Sequence, residues 1–386
     1  MPPPLGHNAR PVHQHEWETT RVSRGLSVYL DLLRFVAALA VFMLHASFER
    51  FSGGLPFFWR FAIFGNDAVM LFFVLSGFVI AHVAGREADS PRGYAAARLA
   101  RLWSVCVPAL GLTVLLDGIG IQLAPGLYDF TLYAYDHPVA RTLASLLFAN
   151  ELWFWSLQPF SNTPYWSVGY EFWYYVLFGA WLFKRGRQRW LACGLVALVM
   201  GPKIMLLLPV WLAGVWAYRT PLAQRLAPAA AGCLCAGTLA GYLVYRYSAM
   251  PEALATFTVR WLGVANSLHL GWSANFLANY VVGALVALHF VGARRLLHEG
   301  APVPQWLERR IRTLAGFTFA LYLFHNPLLQ FFGALAHWLG WWQHRMLPVV
   351  LGPLLVVWLL GARTEQLKGP LKAMLLRAFS RPAASG

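Results

Sequence analysis

Charge is what this sequence has least of. Only 12% of its 386 residues are Asp, Glu, Lys or Arg, while 58% are hydrophobic and the mean hydropathy is +0.51. A soluble domain carries about 25% charged residues, so a soluble fold is excluded and an integral membrane protein with one helical bundle is predicted. Cysteine is scarce too. Cys106, Cys193, Cys233 and Cys235 all lie in apolar segments, and Cys233-Leu-Cys235 lacks the spacing of a redox or zinc pair, so all four read as buried free thiols. The histidines outside apolar stretches show no metal-ligand spacing, and His7, His13 and His15 read as a solvated tail. No metal site is expected. No 20–50 residue repeat is visible, and residues 1–24 carry no secretory signal pattern.

What the chain does have is long apolar runs. Ten spans are predicted, near 28–48, 64–83, 102–121, 165–183, 190–202, 203–218, 228–247, 272–292, 314–336 and 346–363. The fifth and sixth fall short of the roughly 20 residues a crossing needs and are also consistent with a broken or re-entrant pair. The stretch 142–157 is apolar but short, and reads as a helix lying in or re-entering the outer face. The expected class is therefore all-α, a polytopic membrane helical bundle, organised as a cytoplasmic tail 1–26, a transmembrane domain 27–364 and a cytoplasmic tail 365–386. Orientation follows from Lys and Arg. This layout puts 23 of the 31 basic residues on one face. It leaves Arg50, Arg60, Arg141, Lys203, Arg246, Arg260 and Arg345 for the other, with Arg34 inside the first span. Both termini are then expected in the cytoplasm. The net charge of +15 is the positive-inside signature, and no nucleic-acid partner is expected because no basic patch sits on a soluble domain.

Ionisable side chains inside a span are costly and default to functional candidates. The first span holds three: Asp31, Arg34 and His45. Arg34 and His45 are eleven residues apart, about three turns plus 20°, and Asp31 to His45 is close to four turns, so all three share a face. Histidine takes a proton from a hydroxyl near neutral pH; its plainer role is an interfacial ring bonded to a carbonyl. Glu171, one turn inside the fourth span, shares a face with Ser167 at i−4 and is expected at the depth of His45, where a carboxylate would fix the imidazole tautomer. Its plainer role is a helix-start carboxylate paired with a loop arginine. The neighbouring Trp166 fits an interfacial aromatic belt. Asp67 opens the second span, where capping and function are equally consistent. Ser76-Gly77 in mid-helix reads as a packing contact. Arg98 and Arg101, at i and i+3, suit bidentate phosphate recognition, although arginines at this depth also simply anchor helices by snorkelling. His325-Asn326 precedes Pro327, which frees a backbone carbonyl that Asn or His can occupy, so the expected role of that pair is structural. Trp153, Trp155, Trp261 and Trp272 lie in predicted outer loops, where rings stack on sugars or form the interfacial belt.

Taken in order, these segments resemble the membrane acyltransferase family 3. The resemblance rests on Arg34-x10-His45, Gly65-Asn66-Asp67 followed by Phe72-Phe73-Val74-Leu75-Ser76-Gly77-Phe78, Arg98-x-x-Arg101, Trp166-Ser167-x-x-x-Glu171 and Leu321-Tyr322-Leu323-Phe324-His325-Asn326-Pro327. It runs from about 27 to 335. Two departures bear on the substrate pocket. Phe172 and Trp173 stand where relatives often carry an acidic residue and Gln, and Asn326 stands where Trp often follows the late histidine. The resemblance implies an O-acyltransferase of the bacterial cytoplasmic (inner) membrane that moves an acyl group, acetyl by preference, from cytoplasmic acyl-CoA to a hydroxyl of an envelope glycan, with no bound cofactor. In that expectation His45 is the base, Glu171 orients it, and Arg34 stabilises charge or guides the CoA arm. Arg98 and Arg101 hold CoA phosphates, Asp31 balances Arg34, and Asp67, Ser167 and Trp166 line the binding site. An acyl-enzyme on His45 or a serine is a second route. The rival class is a proton-coupled transporter or flippase of an envelope precursor, which also uses intramembrane charges.

Overall fold

The computed structural model describes residues 22–52, 60, 62–87, 90–298 and 303–380; most of the expected N-terminal tail lies outside them. Among the described residues there is no strand. The long helices are α1 (Arg24–Ala46), α2 (Gly65–Glu87), α3 (Pro91–Leu123), α4 (Trp166–Phe183) and α5 (Gly186–Arg219), then α6 (Pro228–Tyr247), α7 (Phe276–Leu296), α8 (Thr318–Trp338), α9 (Met346–Gln366) and α10 (Lys368–Ser380). Eight of them, α1 to α3 and α5 to α9, are long and apolar enough to cross a membrane. The eighteen-residue α4, about 27 Å long, is rich in Trp and Tyr.

The predicted fifth and sixth spans form one continuous element, α5, broken at Gly201 (φ 75°, ψ 178°) next to Pro202. The chain turns back there. Trp190 packs on Trp181, whereas Ile204 O accepts from Tyr174 and Trp211 meets Phe178. A straight helix would carry Trp211 away from the Trp181 end; instead it approaches that end again. Glycine fits because φ is positive, and because a Cβ at Gly201 would lie 2.5 Å from the Trp153 backbone.

The second leg of α5 packs against α2 with almost no space between backbones. A Cβ on Gly214 would lie 1.8 Å from Val74 O, and one on Gly77 would lie 2.0 Å from Trp211 O. Small residues at such crossings let membrane helices touch. Gly214→Val is expected to destabilise by about 1–3 kcal/mol or more through overpacking, seen as a lower melting temperature of the detergent-solubilised protein. Helices α8 and α2 are the most enclosed, with 78% and 67% of their apolar windows buried, and α6 and α9 the least, with 17% and 22%. Functional side chains therefore gather around α8, α2 and the faces of α1, α3 and α4 that meet them. Residues 368–380 form α10, which lies on the start of α3 through Leu375 against Ala96 and Ala100.

Candidate active site

His45 stands at the last turn of α1. Its Nδ1 lies 2.9 Å from Val41 O and 3.2 Å from Nε2 of His325, with ring centroids 4.9 Å apart. His325, fully buried in α8, places its own Nδ1 2.9 Å from Leu321 O. A carbonyl only accepts, so each ring carries its proton on Nδ1. Nε2 of His325 is then an acceptor for the His45 Nδ1–H, and Nε2 of His45 keeps a bare lone pair. That arrangement fixes a base tautomer without a carboxylate.

The sequence pattern assigns His325 a structural role and Glu171 the position beside His45. The structure arranges them otherwise. Pro327 removes the donor to Leu323 O, and the orphaned carbonyl accepts from Asn162 Nδ2 at 2.9 Å. Asn326 Nδ2 donates to Ser161 O and lies 3.3 Å from Thr163 Oγ1. Loop residues thus bind the proline break, and His325 faces His45. Glu171 sits deeper. It accepts from Ser76 Oγ at 2.6 Å and from Tyr175 OH at 2.5 Å, and Trp211 Nε1 donates to Ser76 Oγ at 3.2 Å. A Cβ on Gly65 would lie 2.4 Å from Leu44 Cβ, which puts Gly65 level with His45. Ser76 is eleven residues further along α2, roughly 16 Å. Glu171 therefore shares its depth with Arg34.

Two cavities occupy this axis. One, of about 210 Å³, is lined by His45, Asn66, Thr163, Trp166, Trp272 and Asn279. Trp166 and Trp272 stack in its wall at 5.4 Å and 6° between planes. The other, of about 70 Å³, is lined by Arg34, Ser76, Arg101, Glu171, Tyr175 and Thr318. Val69 and Tyr322 belong to both linings, and Tyr322 OH bonds Ser167 Oγ at 2.7 Å. A tyrosine–serine bridge is thus the partition between the histidine chamber and the arginine chamber.

The remaining candidates fall into place around these chambers. Asp31 lies 3.4 Å from Arg34 Nη1 and 3.2 Å from Arg312 Nη1, so its charge is shared between a span and the short helix Gln305–Gly316. Outside the spans, Glu308 on that helix accepts from Arg24 and Arg312, and these bonds hold its carboxyl below the usual range. Arg98 is buried, with its guanidinium 5.8 Å from the Tyr175 ring centroid; it lies behind the arginine chamber, whereas Arg101 lines it. Asp67 faces away from His45, accepting from Tyr242 OH at 2.9 Å. Among the described residues no group of three His, Cys, Asp or Glu is placed to hold a metal ion.

One feature without a signal in the spacing is a buried ion pair. Lys203 Nζ, just past the Gly201 break, donates to Glu151 Oε2 at 2.5 Å, Trp155 O at 2.5 Å and Ser156 Oγ at 2.9 Å. Both charged side chains are essentially inaccessible, at 0% and 1% exposure. This clamp fixes the 150–157 loop that adjoins the stacked tryptophans. Burial pushes the Glu151 carboxyl up from its ordinary value, and Lys203 draws it back.

A family model described as an acyltransferase domain matches residues 27–368. No curated protein and no solved structure matches the chain.

Proposed function

Because the chain belongs to the acyltransferase 3 family and is a multi-pass membrane acyltransferase, we propose that it moves an acetyl group from cytoplasmic acyl-CoA to a hydroxyl of a glycan on the far side of the bacterial inner membrane. The observation that carries the reading is the stacking of two chambers on one axis, arginines in one and a bare imidazole Nε2 in the other. In this reading α4 and the two legs of α5 each cross the bilayer. Added to the seven other apolar helices they make ten crossings, with both termini in the cytoplasm.

Arg34 and Arg101 receive the donor, since guanidinium groups grip phosphates and carbonyl oxygens as fixed cations. The small volume of their chamber suits an acetyl thioester better than a long chain. The acyl group passes the Tyr322–Ser167 bridge and meets the glycan hydroxyl against Trp166 and Trp272. The hydroxyl oxygen bonds to the acyl carbon as the carbon–sulfur bond breaks. The hydroxyl proton goes to His45 Nε2, and the CoA thiolate leaves to take up a proton. His45 Nδ1–H keeps its bonds to Val41 O and His325 throughout, so the ring does not turn between cycles.

Arg34→Gln and Arg101→Gln are each expected to raise the KM for acetyl-CoA by about 10–100-fold, the size of one lost charge-assisted hydrogen bond, with a smaller change in kcat. Initial rates of CoA release with varied acetyl-CoA measure this. Unchanged KM in both variants contradicts a donor site at the arginine chamber.

A further inference from the structure

A third cavity belongs to neither chamber. It has a volume of about 630 Å³ and lies between α1, α2, α6 and α7. We propose that this cavity is a binding site for a phosphate-bearing membrane lipid, with a hydrocarbon chain inside the groove and the phosphate at Arg246.

Four observations lead there. Its walls are largely apolar, with Leu33, Ala40, Leu71 and Val286 among them, and along α1 they run from Tyr29 to Met43, about 21 Å. Its rim faces the bilayer: Val36 and Leu239 are 51% and 56% exposed on faces that cover no other helix, so hydrocarbon is the medium at the opening.

The two ends differ in chemistry. At the Tyr29 end the polar atoms saturate one another. Thr238 Oγ1 donates to the carbonyls of its own helix at 2.9 and 3.0 Å, so it accepts from His289 Nδ1 at 3.0 Å, and His289 Nε2 accepts from Tyr29 OH at 2.6 Å. Nothing there is left to greet a headgroup. At the other end Asp67 accepts from Tyr242. Arg246, one turn beyond Tyr242, places Nε 3.8 Å from Asp67 Oδ2, and that Nε makes no hydrogen bond among the described residues. Its side chain is 23% exposed, reaching the surface at the end of α6. Asp67 lines this end of the groove and Arg246 stands beside it, and a guanidinium next to the end of an apolar groove is the complement of a phosphate above a chain.

The test uses the full-length protein in nanodiscs containing phosphatidylglycerol with a diazirine on one acyl chain. After photolysis, labelled peptides are mapped. The expected result is about tenfold more label on the groove segments of α1 and α6 than on α9 around Leu351 and Leu355, which are 54% and 56% exposed and serve as ordinary lipid-facing surface. Val36→Trp, a rim change that leaves the packed core intact, should remove the excess while the α9 label stays. Arg246→Gln should weaken competition by unlabelled phosphatidylglycerol by about tenfold, to the level of diacylglycerol, which lacks the phosphate. Equal labelling of groove and α9, or an excess that survives Val36→Trp, overturns the site. Equal competition by the two unlabelled lipids against wild type overturns the phosphate contact.

Discussion

Replacing His45 by alanine lowers the rate of acyl transfer by about 10²–10⁴, the range that a positioned general base contributes. The loss falls on kcat more than on the KM for donor, because the arginine chamber lies roughly 16 Å away along α1. The side chain is only half-buried and hydrogen-bonds α8 through His325, so truncation leaves the bundle packed and the loss is chemical. His325→Ala has a smaller effect, about tenfold, since it removes one hydrogen bond from the His45 Nδ1–H while Val41 O remains. His325→Gln, which restores an acceptor, should recover part of that loss. A merely structural His325 would show no such recovery. Initial rates at matched amounts of folded protein, read by release of free CoA thiol, measure all three variants.

Lys203→Met destabilises the protein by about 3–5 kcal/mol, the size of breaking one buried ion pair. Lys203 spends its three protons on Glu151, Trp155 O and Ser156, and Glu151 Oε1 already has no partner. Removing the ammonium leaves a carboxylate with almost no access to water. Glu151 is already pushed up by burial, and without Lys203 it rises further, so the folded variant binds a proton more readily than the unfolded chain. Its deficit therefore grows as pH rises through the carboxylate range. Glu151→Gln combined with Lys203→Met should recover most of the loss, as expected when an unpaired charge rather than a missing contact is the cause. Melting temperatures of the solubilised variants at two pH values test both statements.

The long apolar helices were legible because a membrane crossing has to be about 20 apolar residues, and composition states that without tertiary knowledge. The common face of Arg34 and His45 was legible for a related reason, since helical phase is fixed by counting. What counting does not supply is which helix stands opposite. Glu171 and His325 both lay within reach on sequence grounds, and the packing of α2 against α4 took the carboxylate to Ser76, while α8 brought the imidazole to His45. The expectation that His325 or Asn326 fills the proline-freed carbonyl failed for the same reason. The nearest amide in sequence points elsewhere, and Asn162 arrives from a loop 161 residues away. Asp67 was placed correctly at a helix start, but its Tyr242 partner on α6 turns it toward a different cavity. The Lys203–Glu151 clamp had a visible half, a lysine after Gly201-Pro202 in an apolar run, and intramembrane cost alone marks such a residue. Its partner could be found only through the loop fold.

Transfer of the acyl group from acyl-CoA is proposed to run through His45. It is tested most directly with inverted membrane vesicles, which expose the cytoplasmic face, from cells carrying wild type or His45→Ala at matched protein levels. Radiolabelled acetyl-CoA is added outside, and label is counted in the glycan fraction. Label is expected with wild type, and at least about a hundredfold less with His45→Ala. Equal labelling in the two preparations, or none from wild type, contradicts it.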